Sequence, residues 1–148
     1  MMNNVRKYLT GLFTVFLLSS GYASAADVAV IVHKSNPEKL SIEQIKNIYS
    51  DRVTTWRSGK KIELYNLPES QEAREIFAQK VLGVSSQAAV AAEARRRTNN
   101  NLKNPSRTKR ERLVVSIVSR KQNAIGYVPA YLVKDKTGVR IVAVIKAE

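Results

Sequence analysis

A continuous run of apolar, β-branched residues, Val28 to Val32, is the feature that most constrains the fold of this chain. The run has no polar residue on either face of a strand and ends in the turn-forming sequence 35–37, Ser-Asn-Pro. Such a strand is buried on both faces, so the sheet that contains it must be covered on both sides. The chain contains no cysteine, and packing alone therefore stabilises this core.

Helix and strand signals alternate along the rest of the chain. Capping boxes, Ser41 with Gln44 and Thr108 with Glu111, mark the starts of two helices, and Gly83 supplies a left-handed end for another. This alternation predicts an α/β layer architecture. The predicted strands are 28–32, 62–65, 124–128 and 139–145, and the predicted helices are 42–50, 70–83, 85–97 and 108–118, with a loop at 98–105.

Residues 1–25 have the order of a secretory signal peptide. A cationic start precedes an apolar run, 9–18, that is too short to span a bilayer, and small residues that suit signal peptidase follow it. The pattern predicts cleavage before Ala26 and a periplasmic protein of one domain, 26–148. An uncleaved membrane anchor is the alternative interpretation.

The chain is strongly basic, with 25 Lys and Arg against 12 Asp and Glu and a formal net charge of +13. Nearly all of this charge belongs to the predicted mature chain, so its partners should be anions. For an exported protein these are a small oxyanion, phospholipid headgroups, lipopolysaccharide, acidic glycans or extracellular nucleic acid.

The segment from Arg95 to Lys121, hereafter the basic segment, holds ten of these cationic side chains. It contains no aromatic residue on which bases could stack, which argues against single-stranded nucleic acid. The segment is consistent with a surface patch for an envelope polyanion or a membrane, and equally with a solvated helix face.

The sequence gives little support to an enzyme. His33 is the only histidine and lies at the end of the first strand with no nucleophile motif near it. Cysteine ligands are absent, and neither a Walker loop nor a G-x-S-x-G turn is present. We therefore expect a binding protein without catalysis, metal or cofactor.

The chain contains the phrases 40–49 (LSIEQIKNIY), 55–56 (TW) with Gly59, 66–70 (NLPES) leading into Arg74, Phe77 and 81–83 (VLG), and 124–128 (AIGYV). In this order and spacing they resemble the phosphate-binding periplasmic proteins of ABC importers, and most closely their small, single-lobe members. The likeness extends from Val28 to about Val144 and implies a single lobe of the type 2 periplasmic binding fold, a mixed sheet flanked by helices.

The resemblance also implies where an oxyanion would bind. Ser70 stands at the position of the family's motif serine, before a predicted helix whose free N–H groups favour an anion, although a plain N-cap is an equal interpretation. Asn66, Gln71 and Glu72 replace the Arg, Gly and Thr of that motif, and Arg74 could compensate by reaching back. The weaker candidates, placed by family position, are Ser35, Asn36, Thr98, Asn99 and Tyr127.

Larger relatives in this family close two lobes around the ligand, and one lobe is missing here. Glu93 stands where the small relatives typically have Trp, and Asn-rich residues replace their Gly-containing loop. We therefore expect weak affinity, or a homodimer that supplies the second wall. The resemblance implies that the ligand is phosphate or a similar anion and that the partner is an inner-membrane ABC permease.

Overall fold

A computed structural model describes residues 24–134 and 138–148 of the chain. The predicted signal peptide lies almost entirely outside the described residues, as does most of the turn before Gly138. Within the described part, no helix has both the length and the apolar character needed to cross a membrane.

The described residues form a five-stranded mixed sheet in the order β3-β2-β4-β1-β5. β1 lies between β4 and β5 and is antiparallel to both, whereas β2 runs parallel to β3 and β4. All six residues of β1 are buried, which confirms the strand predicted from the apolar run. The strands are β1 Val28–His33, β2 Glu63–Asn66, β3 Arg107–Thr108, β4 Ala124–Pro129 and β5 Val139–Ile145.

The described residues also form four α-helices, and together the elements confirm the predicted mixed α/β fold. The second helix continues into a π-helical turn, so that the chain is helical without a break from 72 to 82. The helices are α1 Ile42–Tyr49, α2 Glu72–Phe77 with the π-helical turn Ala78–Leu82, α3 Ser86–Thr98 and α4 Glu111–Val118, and a 3-10 turn spans Ala130–Leu132.

Neighbouring residues of β4 show that the sheet is covered on both faces. A β-carbon on Gly126 would point into α4, against Val114. The next side chain, Tyr127, points to the opposite face and stacks on Phe77 of α2, with ring centroids 3.9 Å apart and planes 1° apart. Tyr49 of α1 meets the Phe77 ring edge-on at 4.7 Å, so α1 and α2 share this second face.

The structure confirms some of the predicted helix ends. Ser41 Oγ accepts a hydrogen bond from Gln44 N at 3.2 Å and Gln44 Oε1 accepts one from Ser41 N at 2.8 Å, which completes the capping box of α1. Gly83 ends the helical stretch with a φ of 73°, as its position predicts. Both signals depend only on local geometry.

Three predicted boundaries are wrong. Ser70 lies in a turn closed by Gln71 N donating to the Pro68 carbonyl, so α2 starts at Glu72 and Ser70 is not its N-cap. Thr108 pairs with Asn66 in β3, and this tertiary pairing delays the start of α4 to Glu111. Thr98 is the last residue of α3 rather than loop, because the helical backbone bonds continue as far as Asn99 N, which donates to the Arg95 carbonyl at 3.0 Å.

The directions of the strands determine which loops lie at each end of the sheet. Because β1 is antiparallel to β4, the loop after β1 lies at the end where β2 and β4 begin. The turn that follows β2 lies at the opposite end, where β1 starts. Any side chains that follow β1 and β2 are therefore held far apart by the sheet itself.

Candidate functional site

Arg74 is the charged side chain that the fold buries most deeply at the end of β2. It lies in the first helical residues after the turn and is only 8% exposed. Its Nη1 donates to the carbonyl oxygen of Leu67 at 2.6 Å, which satisfies a backbone acceptor in a residue with no exposed surface. This bond uses one donor of a guanidinium that has five, so the position of the group is fixed while other N–H groups remain available.

Arg74 forms part of a cleft of about 380 Å³ between α3 and the chain around β3, hereafter the Arg74 cleft. Its walls combine two guanidinium groups, two carboxylates and two hydroxyls with the aliphatic Val90 and Ala94. The charged and hydroxyl residues are Arg74, Arg97, Glu69, Glu93, Ser106 and Thr108.

The Glu93 carboxylate organises one wall of the cleft. It accepts hydrogen bonds from Ser106 Oγ at 2.7 Å and Ser106 N at 3.3 Å, and Arg97 Nη2 lies 3.3 Å from its Oε1. Glu93 and Arg97 are one helical turn apart on α3, the spacing at which such pairs meet. The carboxylate therefore joins α3 to the segment that leads into β3.

A small void of about 20 Å³ lies behind the cleft, against the aromatic core. Tyr127 lines it, and its hydroxyl donates to Asn66 Oδ1 at 2.7 Å. Burial raises the pKa of Tyr127 well above its ordinary value, so the hydroxyl stays protonated. Arg96 also lines the void, and among the described residues its buried Nε has no hydrogen-bond partner.

The start of α2 itself is already complemented by negative charge. Glu72 lies in the first turn, where a carboxylate stabilises the positive end of the helix dipole, and Gln71 makes no side-chain capping bond. The cleft therefore offers an anion the Arg74 side chain rather than an open helix start.

Ser35 and Asn36 lie at the other end of the sheet, away from Arg74. They line a separate groove of about 760 Å³ beside Trp56. Ser35 N donates to His33 Nδ1 at 3.1 Å, with the Ser35 hydroxyl 2.7 Å from the same nitrogen, and Asn36 Oδ1 accepts from Glu38 N at 2.9 Å. Both predicted ligand residues thus hold the loop after β1, and His33 is a strand-end residue with its own hydrogen bond.

The other sequence-derived candidates surround the Arg74 cleft without lining it. Ser70 is exposed in the turn directly after Glu69, which does line the cleft. Thr98 and Asn99 follow Arg97 at the end of α3, where Asn99 N donates to the Arg95 carbonyl at 3.0 Å. Of the predicted site residues, the structure brings Arg74 and Tyr127 together at the small void.

The sequence patterns do not predict Arg97, Ser106 or Thr108 as cleft residues. They identify Glu93 only as a departure from the family pattern. The signal that could have found Glu93 and Arg97 is their i, i+4 spacing on a helix. Ser106 and Thr108 carry no comparable signal, because their place depends on β3 pairing with β2.

The described residues contain no group of three or more His, Asp or Glu side chains positioned to hold a metal ion. The donors that converge on the cleft are guanidinium and hydroxyl groups, which are suited to anions.

A lobe built on a five-stranded mixed sheet with helices on both faces, with a polar cleft at one end of the sheet, defines the class of single-lobe binding domains. Residues 23–147 match a protein family described as PBP superfamily domain. The chain belongs to this family, as the resemblance predicted.

The solved structures that are similar to the chain include two bacterial proteins. One is assigned as a phosphate ABC transporter substrate-binding protein, with bound phosphate, from Clostridium perfringens; it is 25% identical, with a TM-score of 0.59, over 79% of this chain and 45% of that chain. The other is an ABC-type phosphate transport receptor from Vibrio cholerae, 19% identical with a TM-score of 0.60, over 79% of this chain and 46% of that chain, and it shows the fold alone. The chain thus corresponds to less than half of either solved protein. No curated protein matches it.

Proposed function

We propose that this chain is a substrate-binding protein of the cell envelope that binds phosphate or a similar oxyanion in the Arg74 cleft and catalyses no reaction. The burial of Arg74 in that cleft is the observation that carries the proposal. A guanidinium held in a partly desolvated cleft makes stronger hydrogen bonds to an oxyanion than an exposed one does. The hydroxyl of Thr108 adds a donor on the facing wall, whereas the Ser106 hydroxyl already donates to Glu93.

Membership of the family and the phosphate bound to the Clostridium perfringens protein support this choice of ligand. The signal-peptide pattern of 1–25 supports export to the periplasm, and both solved relatives are described as parts of phosphate transport systems. We therefore propose delivery of the anion to an inner-membrane ABC permease as the biological role.

Isothermal titration of phosphate, with sulfate as a second anion, tests the site at physiological salt. We expect phosphate to bind saturably to the wild-type protein. Arg74→Gln and Arg97→Gln should each weaken binding at least tenfold, because a charge-assisted hydrogen bond contributes about 1.5–3 kcal/mol. Ser70→Ala should weaken it only if the exposed turn also contacts the ligand.

Arg57→Gln is the matched control, since it removes the same charge from an exposed position at the other end of the sheet. Thermal unfolding of each variant separates lost binding from lost folding. If the folded Arg74 and Arg97 variants bind phosphate as tightly as the wild type, the proposed site is wrong. If the wild type gives no binding heat with either anion, the proposed function is wrong.

A further inference from the structure

The small void behind the Arg74 cleft is bordered by two guanidinium groups that no carboxylate pairs. Arg74 and Arg96 both line it. Among the residues that the structure describes, no carboxylate oxygen lies within 4.0 Å of a nitrogen of either side chain. Arg74 is only 8% exposed, and a charge buried to this extent is costly unless a counter-charge lies close to it.

The polar side chains around the void offer it hydrogen-bond donors. Arg74 uses one of its five N–H groups on the Leu67 carbonyl, and the buried Nε–H of Arg96 has no partner among the described residues. Asn66 also lines the void. Its carbonyl oxygen accepts from the Tyr127 hydroxyl, so the other end of this amide is an NH₂ donor. An occupant that accepts hydrogen bonds therefore suits the void.

The charges at the void leave one positive charge uncompensated. Glu93 is the carboxylate that lines the void, and it already accepts two hydrogen bonds from Ser106 and lies 3.3 Å from Arg97 Nη2. The two guanidinium charges of Arg74 and Arg96 and the one carboxylate charge of Glu93 leave a net charge of +1. One monovalent anion would neutralise it, whereas a water molecule would leave it uncompensated.

The size of the void restricts which anion can enter it. Its volume of about 20 Å³ has room for one particle the size of a water molecule. A polyatomic oxyanion such as phosphate does not fit, whereas a single halide ion is only slightly larger than water. Much of the remaining lining is the aromatic core of Tyr49, Phe77 and Tyr127, and in such dry surroundings a charge-assisted hydrogen bond is strong.

We infer that the small void binds a single halide ion, such as chloride, held between the Nε–H of Arg96 and the guanidinium of Arg74. The inference goes beyond the proposed function, because it assigns a second and smaller anion site behind the cleft, and its test needs no phosphate. The bound ion compensates the buried charge of Arg74 and so stabilises the folded lobe.

Thermal unfolding at constant ionic strength tests the inference, with sodium gluconate exchanged stepwise for sodium chloride in a phosphate-free buffer. Gluconate is far too large for the void. We expect the Tm to rise with chloride and to level off, by roughly 5 °C at ten times the dissociation constant. Bromide should act as chloride does, and nitrate, which is polyatomic, should not.

Two variants of α3 separate the buried donor from general surface charge. Arg96→Lys keeps the positive charge but has no N–H at the position of the buried Nε, so it should lose the chloride-dependent rise in Tm. Arg95→Gln is the matched control, because it removes an exposed charge from the adjacent position of the same helix, and it should keep the rise.

Anomalous scattering from wild-type crystals soaked in bromide locates the ion without depending on a variant. We expect bromide within hydrogen-bonding distance of Arg96 Nε and of the Arg74 guanidinium. The inference is overturned if bromide occupies only the Arg74 cleft or the outer surface, if chloride does not raise the Tm, or if nitrate acts as chloride does. It is also overturned if Arg96→Lys keeps the rise or if Arg95→Gln loses it equally. Each of these results leaves the proposed function standing, because the phosphate titrations test that function separately.

Discussion

Asp51 adopts a backbone conformation that favours glycine, with a φ of 64°, and yet makes contacts that glycine cannot make. Its side chain is buried and accepts hydrogen bonds from Lys103 N at 2.7 Å and Asn104 N at 2.8 Å. Asn104 in turn donates through Nδ2 to the Ile62 carbonyl at 2.9 Å. One carboxylate therefore fixes the loop after α3, which leads on to Ser106 in the Arg74 cleft.

We expect the stability at this position to fall in the order Asp, Asn, Gly. Asp51→Asn keeps one acceptor oxygen and tolerates the left-handed backbone, so it loses one of the two bonds. Asp51→Gly removes the strain of the left-handed backbone but leaves two backbone N–H groups without an acceptor. Each of these groups that stays buried lowers the free energy of unfolding by about 1–3 kcal/mol. Urea unfolding of the three proteins measures the order, and a glycine variant as stable as the wild type would contradict it.

Local sequence patterns predict some residues of the site and not others. Arg74 was predicted because its place one turn after Ser70 follows from chain order alone. Glu93 and Arg97 were not assigned to the cleft, because the bonds between Glu93 and Ser106 that form its wall depend on how α3 packs against a distant segment. Ser35 and Asn36 were grouped with Ser70, although strand direction, which no local pattern encodes, places them at the opposite end of the sheet.

At the scale of elements, the contact between α4 and β4 depends on Gly126, because glycine has no side chain. A β-carbon at Gly126 would lie 2.5 Å from Val114 Cγ1 and 3.6 Å from Val118 Cγ2. Both valines have no exposed surface, and their branched side chains have little freedom to turn away. Gly126 therefore sets the close approach of this helix to the sheet, and no left-handed backbone is involved.

Gly126→Ala should reduce the free energy of unfolding by about 1–3 kcal/mol through overpacking. Val114→Ala should also destabilise the protein, because it removes buried methyl groups and leaves a cavity. The double variant should be more stable than the sum of the two single effects predicts, since the added methyl group occupies the space that Val114 vacates. Denaturant unfolding of the four proteins gives this coupling, and strictly additive effects would show that the contact does not limit the packing.

Most helices and strands are predictable from the sequence, and the exceptions at β3 and at the start of α4 result from the pairing of β3 with β2. β1, α1 and the end of the helical stretch at Gly83 follow from burial pattern, capping box and left-handed glycine, all of which act within a few residues. β3 was not predicted, because two residues carry no periodicity. Its pairing with β2 is also the reason that the Thr108 capping signal did not start α4.

At the scale of the whole molecule, the described residues form one lobe, and this lobe by itself leaves the cleft open on one side. The two solved relatives are more than twice as long as the part of them that this chain matches. A ligand that contacts one wall keeps part of its hydration and gains fewer hydrogen bonds than an enclosed ligand. If a second copy of the chain supplies a second wall, ligand binding is linked to dimerisation.

The monomer should therefore bind inorganic phosphate only weakly, roughly in the millimolar range, where the binding free energy is about −4 kcal/mol. Tighter binding should occur only together with a dimer, and its apparent affinity should then rise with protein concentration. Sedimentation velocity with and without phosphate, at two protein concentrations, separates the two cases. Micromolar binding by a protein that sediments as a monomer would contradict the expectation, because it would require the one lobe to enclose its ligand.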